Sequence, residues 1–176
     1  VYENHTRNKE LLKYAQTDAL TGLYNKETTE QLTDELLSED ENKYHAFLIL
    51  DVDCFKQIND IYGHAVGDIV LQKFGKLLKG TFREGDILGR IGGDEFGVIM
   101  KNIQTKDIAM KKAEELLAKT QAYKIDELKG NNISISIGIS TAPQDGDCYM
   151  DLYKRADQAL YQAKRSGKAR VCNYFS

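Results

Sequence analysis

The sequence predicts an α+β fold, a mixed sheet with helices packed on it. Helical and strand-like periodicities interleave along the chain, and one pair of strands, joined at Gly92-Gly93, reads as a hairpin, which a purely parallel βαβ sheet does not contain. A third segment, "ISISIGIS", alternates strictly and is the clearest strand. At 176 residues the chain is long enough for one domain with a real core.

Each element follows from local pattern. Residues 1–16 are polar, with Leu11, Leu12 and Ala15 as the few apolar points, and read as a linker helix from a missing upstream region. Val1 in place of Met fits a piece of a longer protein, with any membrane anchor or sensory domain lying upstream. The domain proper is expected over 17–176. It begins with the turn-rich "TDALTGLYNKE", where Asn25 is placed to cap a helix through Leu32, Leu36 and Leu37. "HAFLILDVD" is a buried strand ending in acids. Gly63 and Gly67 break the pattern before a helix expected to start near Asp68, with Asp68 as its cap; Val70, Phe74, Leu77 and Leu78 mark its apolar face. "DILGRI" and "EFGVIM" are the hairpin strands. Ala109, Ala113, Leu116 and Leu117 mark another helix. Leu152, Ala156, Ala159, Leu160 and Ala163 mark the last one, which Gly167 ends, and "ARVCNYF" is a final strand.

Composition narrows the function. Apolar residues make up 41% and charged residues 29%, ordinary for a globular protein, and no apolar run approaches the ~20 residues that cross a bilayer. No signal peptide is visible. The net charge of −3, with no basic stripe, argues against nucleic acid as a partner. The three cysteines, Cys54, Cys148 and Cys172, lack metal-type spacing, and their odd number fits a reduced, cytoplasmic compartment.

Two acidic clusters suggest chemistry. In "RIGGDEFGVIM", the glycines can serve as the positive-φ residues of a tight turn beside solvated Asp94 and Glu95, or the acids can form a site. Asp51 and Asp53, at i and i+2, point to one face at the end of a buried strand, where acids need hydrogen bonds, water or cations. A carboxylate from that strand end and one from the hairpin tip can meet across neighbouring strands and make a Mg²⁺ site. Asn59 and Asp68 can be a loop and a helix cap, or they can read a base edge; a carboxylate that accepts from a ring N–H and an amino group suits guanine. Lys164 and Lys168, around "KRSGK", fit either a solvated helix end favoured by the macrodipole or a phosphate clamp.

Taken together, "DALTGLYN" (Asp18 to Asn25), "DVDCFKQINDIYGHAVGD" (Asp51 to Asp68), "RIGGDEF" (Arg90 to Phe96) and "ADQALYQAKRSGKARV" (Ala156 to Val171) resemble, in order, the GGDEF domain, the catalytic domain of diguanylate cyclases. The resemblance covers about residues 17–175. It implies a central, largely antiparallel sheet of about five strands wrapped by helices, like the palm of nucleotidyl cyclases and polymerases. It also implies a reaction, in which two GTP become cyclic di-GMP and two pyrophosphates at the interface of two facing domains, a homodimer.

The resemblance further implies two Mg²⁺ per site (Mn²⁺ being an alternative) held by Asp51, the carbonyl of Val52, Asp94 and Glu95. Asp94 and Glu95 would be the catalytic acids, with Glu95 either a ligand or part of the machinery that activates the 3′-hydroxyl. Asn59 and Asp68 match guanine recognition. Lys56, Lys164, Lys168 and the amide of Phe55 match phosphate contacts. Lys168 and Lys26 stand where the family often has Arg, and a lysine at 168 keeps the charge but loses the bidentate fork. Gly92 and Gly93 would make room for the nucleotide. Asp53 and His64 are motif members; His64 is expected to hydrogen-bond structurally, and His5 and His45 to be incidental. Five residues before Gly92 ends "REGD", whose Arg83 and Asp86 match the family's inhibitory product site, an Arg fork with an Asp acceptor.

Three alternatives stand beside the cyclase. One is a non-catalytic regulatory module binding GTP or cyclic di-GMP, against which the intact acids argue. Another is a cyclase using ATP, which Asp68 disfavours. The third is a structural dimerisation domain, which would make four ordered motifs a coincidence.

Overall fold

The structure, a computed structural model, describes residues 2–39 and 42–174, with side chains from Arg7 onward. Its helices are α1 (Tyr2–Gln16), α2 (Lys26–Glu39), α3 (Phe55–Tyr62), α4 (His64–Thr81), α5 (Lys106–Ala122) and α6 (Tyr149–Arg165). Its strands are β1 (His45–Val52), β2 (Ile87–Arg90), β3 (Glu95–Met100), β4 (Ile135–Ala142) and β5 (Val171–Asn173). They form one sheet in the order β2-β3-β1-β4-β5. Pairing is antiparallel except between β4 and β5, which makes the sheet mixed and largely antiparallel, as expected.

Strand alternation sorts β1 into two layers. Leu48, Leu50 and Val52 face a core with Val70, Phe74 and Leu78 of α4 and Ala109, Ala113 and Leu116 of α5. Phe47 and Ile49 face the opposite core with Leu152, Ala156 and Leu160 of α6 and Leu37 of α2. By the same parity Asp51 belongs to the α6 face. The two covered faces explain a departure from simple alternation: all eight residues of β4 are buried, not every second one. Its serines are accommodated by hydrogen bonds, Ser140 to the Leu152 carbonyl and Ser136 to Asp53.

α6 lies unusually close to the sheet because β4 carries Gly138. A Cβ there would stand 2.1 Å from the Ala156 carbonyl oxygen and 2.4 Å from the Leu160 nitrogen. That close approach sets the reach of every α6 side chain over the strand ends. The helix stops at Gly167 as expected: Gly167 has φ +114, and the Lys168 N–H closes back on the Ala163 carbonyl.

Asn25 caps α2, with Oδ1 accepting from the Thr28 N–H at 2.9 Å. Other boundaries move. Residues 55–62 form a helix of their own, and Gly63, at φ +88, is the breaker. Gly67 and Asp68 therefore lie inside α4, and Asp68 is not its cap. β1 ends at Val52, one residue short of Asp53. β5 is only three residues long, and Phe175, expected in it, lies outside the described residues. His45 is buried, and its Nδ1 accepts from the Asn102 N–H, so it is structural and not incidental. The side chain of His5 is outside the described residues.

Candidate active site

Antiparallel register places Asp51 of β1 directly opposite Glu95 of β3, on the face covered by α6. The tip between β2 and β3 brings Asp94 alongside, and the Asp94 carbonyl accepts from the Val52 N–H at 3.2 Å. The acids expected to meet across strands do so.

From α6, Lys164 donates to Asp51 Oδ2. The other oxygen, Asp51 Oδ1, is buried and has no hydrogen-bond partner among the described residues. Burial, reinforced by the neighbouring Asp94 carboxylate, pushes the Asp51 carboxyl up to about 7 although Lys164 pulls the other way. For Lys164, burial opposes the charged form, but the hydrogen bond to Asp51 and the fields of Asp51, Asp94 and Asp53 hold its pKa above the ordinary lysine value. A buried carboxylate oxygen with no donor of its own among the described residues, beside further carboxylates, is what a hard divalent ion needs. The donor set therefore fits Mg²⁺.

Glu95 is also pushed above the ordinary carboxylate range, first by burial and then by Asp157 and Asp94, while the Tyr153 hydroxyl, donating to Oε1 at 2.9 Å, counters the shift. Asp53 is held differently. Its carboxylate accepts from Ser134 Oγ at 2.6 Å, Ser136 Oγ at 2.7 Å and the Ala169 N–H at 3.1 Å. It ties the end of β1 to β4 and to the loop after α6, and its two oxygens are taken up by those donors.

That loop carries Lys168, whose Nζ lies 3.0 Å from Cys54 Sγ, so its ammonium stands over the turn leading into Phe55 and Lys56. Asn59, on α3, packs against α4 at Gly67, next to Asp68: a Cβ on Gly67 would sit 1.9 Å from Asn59 Oδ1, itself buried without a partner among the described residues. Gly92 and Gly93 do not have positive φ, so the tight-turn reason for them does not hold. An added Cβ at Gly93 would meet nothing within 4 Å.

Arg90 is a residue the sequence reading quoted without giving it a role. Its Nη1 reaches both oxygens of Asp18 at 3.2 and 3.3 Å, and its Nη2 donates to the Gly93 carbonyl at 2.8 Å. Nε adds longer contacts to the Gly92 and Gly93 carbonyls. The guanidinium thus pins the hairpin tip to the loop before α2. Burial would raise the Asp18 pKa, but hydrogen bonds from Thr21 and the Arg90 charge hold it below the usual carboxylate value.

Arg83 and Asp86 lie at the other end of β2, away from the acids. Asp86 is buried and accepts from the backbone N–H groups of Arg83 and Lys101, both at 3.1 Å, and from the Arg83 guanidinium at 3.3 Å. Beside them is a cavity of about 600 Å³, lined by Lys9, Lys13, Lys79 and Arg83 among others. No helix among the described residues is long and apolar enough to cross a membrane.

A family model described as "Diguanylate cyclase, GGDEF domain" matches residues 15–170. Diguanylate cyclase A of Treponema denticola is 37% identical over 170 residues, which cover 93% of this chain and 46% of that protein. The response regulator PleD of Caulobacter vibrioides is 37% identical over 177 residues, 97% of this chain and 39% of that protein. The chain thus spans less than half the length of these relatives. Among solved structures, the GGDEF domain of TpbB from Pseudomonas aeruginosa superposes with a TM-score of 0.85 at 33% identity, covering 90% of this chain and 94% of that one. The GGDEF domain of DgcB from Caulobacter crescentus, in complex with c-di-GMP, gives 0.84 at 28% identity, covering 92% and 94%.

Proposed function

The chain belongs to the GGDEF domain family, and on that premise we propose that it is a diguanylate cyclase domain, condensing two GTP into cyclic di-GMP and two pyrophosphates where two copies face each other. The observation that carries this reading is the cross-strand pair Asp51 and Glu95 with Asp94 beside it, one buried oxygen of Asp51 being left without a partner among the described residues.

Asp51, the Val52 carbonyl, Asp94 and Glu95 would hold two Mg²⁺, or Mn²⁺ in their place. When bound, the ions supply charge stabilisation to the attacking and leaving oxygens. In each of two steps the 3′-oxygen of one GTP bonds to the α-phosphorus of the other, and the bond from that phosphorus to the pyrophosphate oxygen breaks. The protein's own part is positioning. Lys164, Lys168, Lys56 and the Phe55 amide hold the triphosphate. Asn59 and Asp68 take the guanine edge: the Asn59 oxygen, without a partner among the described residues, and the exposed Asp68 carboxylate are acceptors, which guanine's ring N–H and amino group match and adenine's edge does not. Gly92 and Gly93 leave the approach open, which the empty space around a Gly93 Cβ supports.

In this reading residues 17–176 are the cyclase unit, a cytoplasmic domain, with α1 as the link to an upstream sensory or regulatory region. Arg83 and Asp86 form a feedback site for cyclic di-GMP, and the excess of cations in the cavity lining, Lys9, Lys13, Lys79 and Arg83 against Glu84 and Asp86, supports an anionic ligand there. Binding would require Arg83 to turn from Asp86 and the Lys101 carbonyl toward the ligand.

The test is incubation with an equal mixture of GTP and ATP and Mg²⁺, with products separated by chromatography. The reading expects cyclic di-GMP alone, formed at a rate per domain that rises with protein concentration. A mixed or adenine dinucleotide would overturn the guanine assignment, and a rate per domain independent of concentration would overturn the two-domain mechanism. Added cyclic di-GMP should slow the wild type and not Arg83→Ala.

A further inference from the structure

The register that sets Asp51 against Glu95 gives each acid a separate donor from α6. Lys164 serves Asp51 and Tyr153 serves Glu95. The two donors are eleven residues apart, about three helical turns, and so stand on one face of the helix. The donors differ in kind. An ammonium neutralises the carboxylate it holds; a phenol holds a carboxylate and leaves its charge in place.

We propose that Tyr153 is a positioning residue for Glu95: its hydroxyl fixes Oε1, so that Oε2, which has no partner among the described residues, is the oxygen offered to the metal. The inference rests on the cyclase reading and deepens it. Tyr153 is built to hold a fixed position. Its ring stacks on Tyr149 with centroids 5.8 Å apart and planes at 30°. Tyr149 packs edge-on against Phe47 of β1 at 5.4 Å and is itself buried. A continuous aromatic column thus runs from the centre of β1 to Glu95. Facing a carboxylate oxygen at 2.9 Å, the hydroxyl is the donor of that bond. A donor is needed there. Asp94 and Asp157 both repel Glu95; the field of Lys164 attracts it, and the Tyr153 hydroxyl is the group that holds one of its oxygens by a hydrogen bond.

Tyr153→Phe tests this, since it keeps the ring and its stacking and removes only the oxygen. The melting temperature should stay unchanged, kcat for cyclic di-GMP should fall about tenfold, and KM for GTP should stay within about twofold, as for the loss of an outer partner of a metal-site carboxylate. In a Glu95→Gln background the same substitution should add no further loss. An unchanged kcat, or a tenfold loss that persists in the Glu95→Gln background, would overturn the proposal. A titration with Mn²⁺ alone keeps the test independent of the cyclase reading. Should the wild type make no product, a tenfold weaker Mn²⁺ affinity in Tyr153→Phe would still support the positioning role, and equal affinity would overturn it.

Discussion

Lys164 reaches from α6 to Asp51 at the end of β1, so the ammonium expected to hold phosphate donates to the acid expected to hold metal. The contact gives a buried carboxylate a cationic partner. Lys164→Met should lower the rate of product formation about 100-fold, as for loss of a cation that clamps a transferring phosphoryl group. The fold should survive, because Asp51 can stay protonated in its buried position. Initial rates and thermal melting check both statements, and a rate within about threefold of wild type would contradict the assignment.

Protons and divalent ions should compete at Asp51. Burial raises its pKa to about 7 from an ordinary 3.8. Between those values the folded, metal-free protein binds a proton that the unfolded chain does not. This contribution favours the fold at the acid end of the window and is lost as pH rises through about 7. Ion binding runs the opposite way, since only the carboxylate coordinates. Calorimetric titration with Mn²⁺ should show weaker binding at pH 6 than at pH 8, with proton release on binding at the lower pH. Equal affinity at both would contradict the burial argument.

The Arg90–Asp18 pair predicts a stability effect outside the acids themselves. Both side chains are largely buried, at 18% and 21% exposure, and the guanidinium also collects the Gly92 and Gly93 carbonyls. A lysine has the charge but not the fork. Arg90→Lys should cost about 1.5–3 kcal/mol of stability, the range for hydrogen bonds to charged groups. It should also slow turnover, because the tip carrying Asp94 loses its anchor. Denaturant unfolding with parallel rate measurements checks this; wild-type stability and rate would contradict it.

Gly67 separates base recognition from folding. An added Cβ would meet the far end of the Asn59 side chain, which can swing aside, and the rim of the Phe55 ring at 3.2 Å, which must give by a few tenths of an ångström. Alanine in a helix interior is, if anything, stabilising over glycine. Gly67→Ala should therefore keep or raise the melting temperature and raise KM for GTP about tenfold, the equivalent of one lost hydrogen bond. An unchanged KM would remove Asn59 from the guanine site.

How much of this was legible in the sequence depended on whether a signal was local. Asn25 as a cap, Gly167 as a stop and the Gly92-Gly93 hairpin are short-range patterns, and the structure carries all three. The start of α4 differs from the expected one because Gly67 has the local pattern of a breaker, whereas it sits inside the helix and makes room for Asn59. Nothing in "ISISIGIS" announces burial on both faces, since alternation is the mark of a half-exposed strand; Ser136 and Ser140 are buried because partners distant in sequence accept from them. Pairings such as Arg90 with Asp18, or Tyr153 with Glu95, join residues 72 and 58 apart and depend on the sheet register. A helical-wheel reading back from Lys164 would have placed Tyr153 on the same face as that lysine, and it is the one hint of that pair the sequence held.

The central claim is that Asp94 and its neighbours catalyse cyclic di-GMP formation. The most direct measurement is incubation of the wild type and Asp94→Asn with GTP and Mg²⁺, with products read by chromatography. The account predicts cyclic di-GMP from the wild type and none above background from Asp94→Asn, both proteins melting alike. Equal product from both, or no product from the wild type at high protein concentration while it still binds GTP, would contradict it.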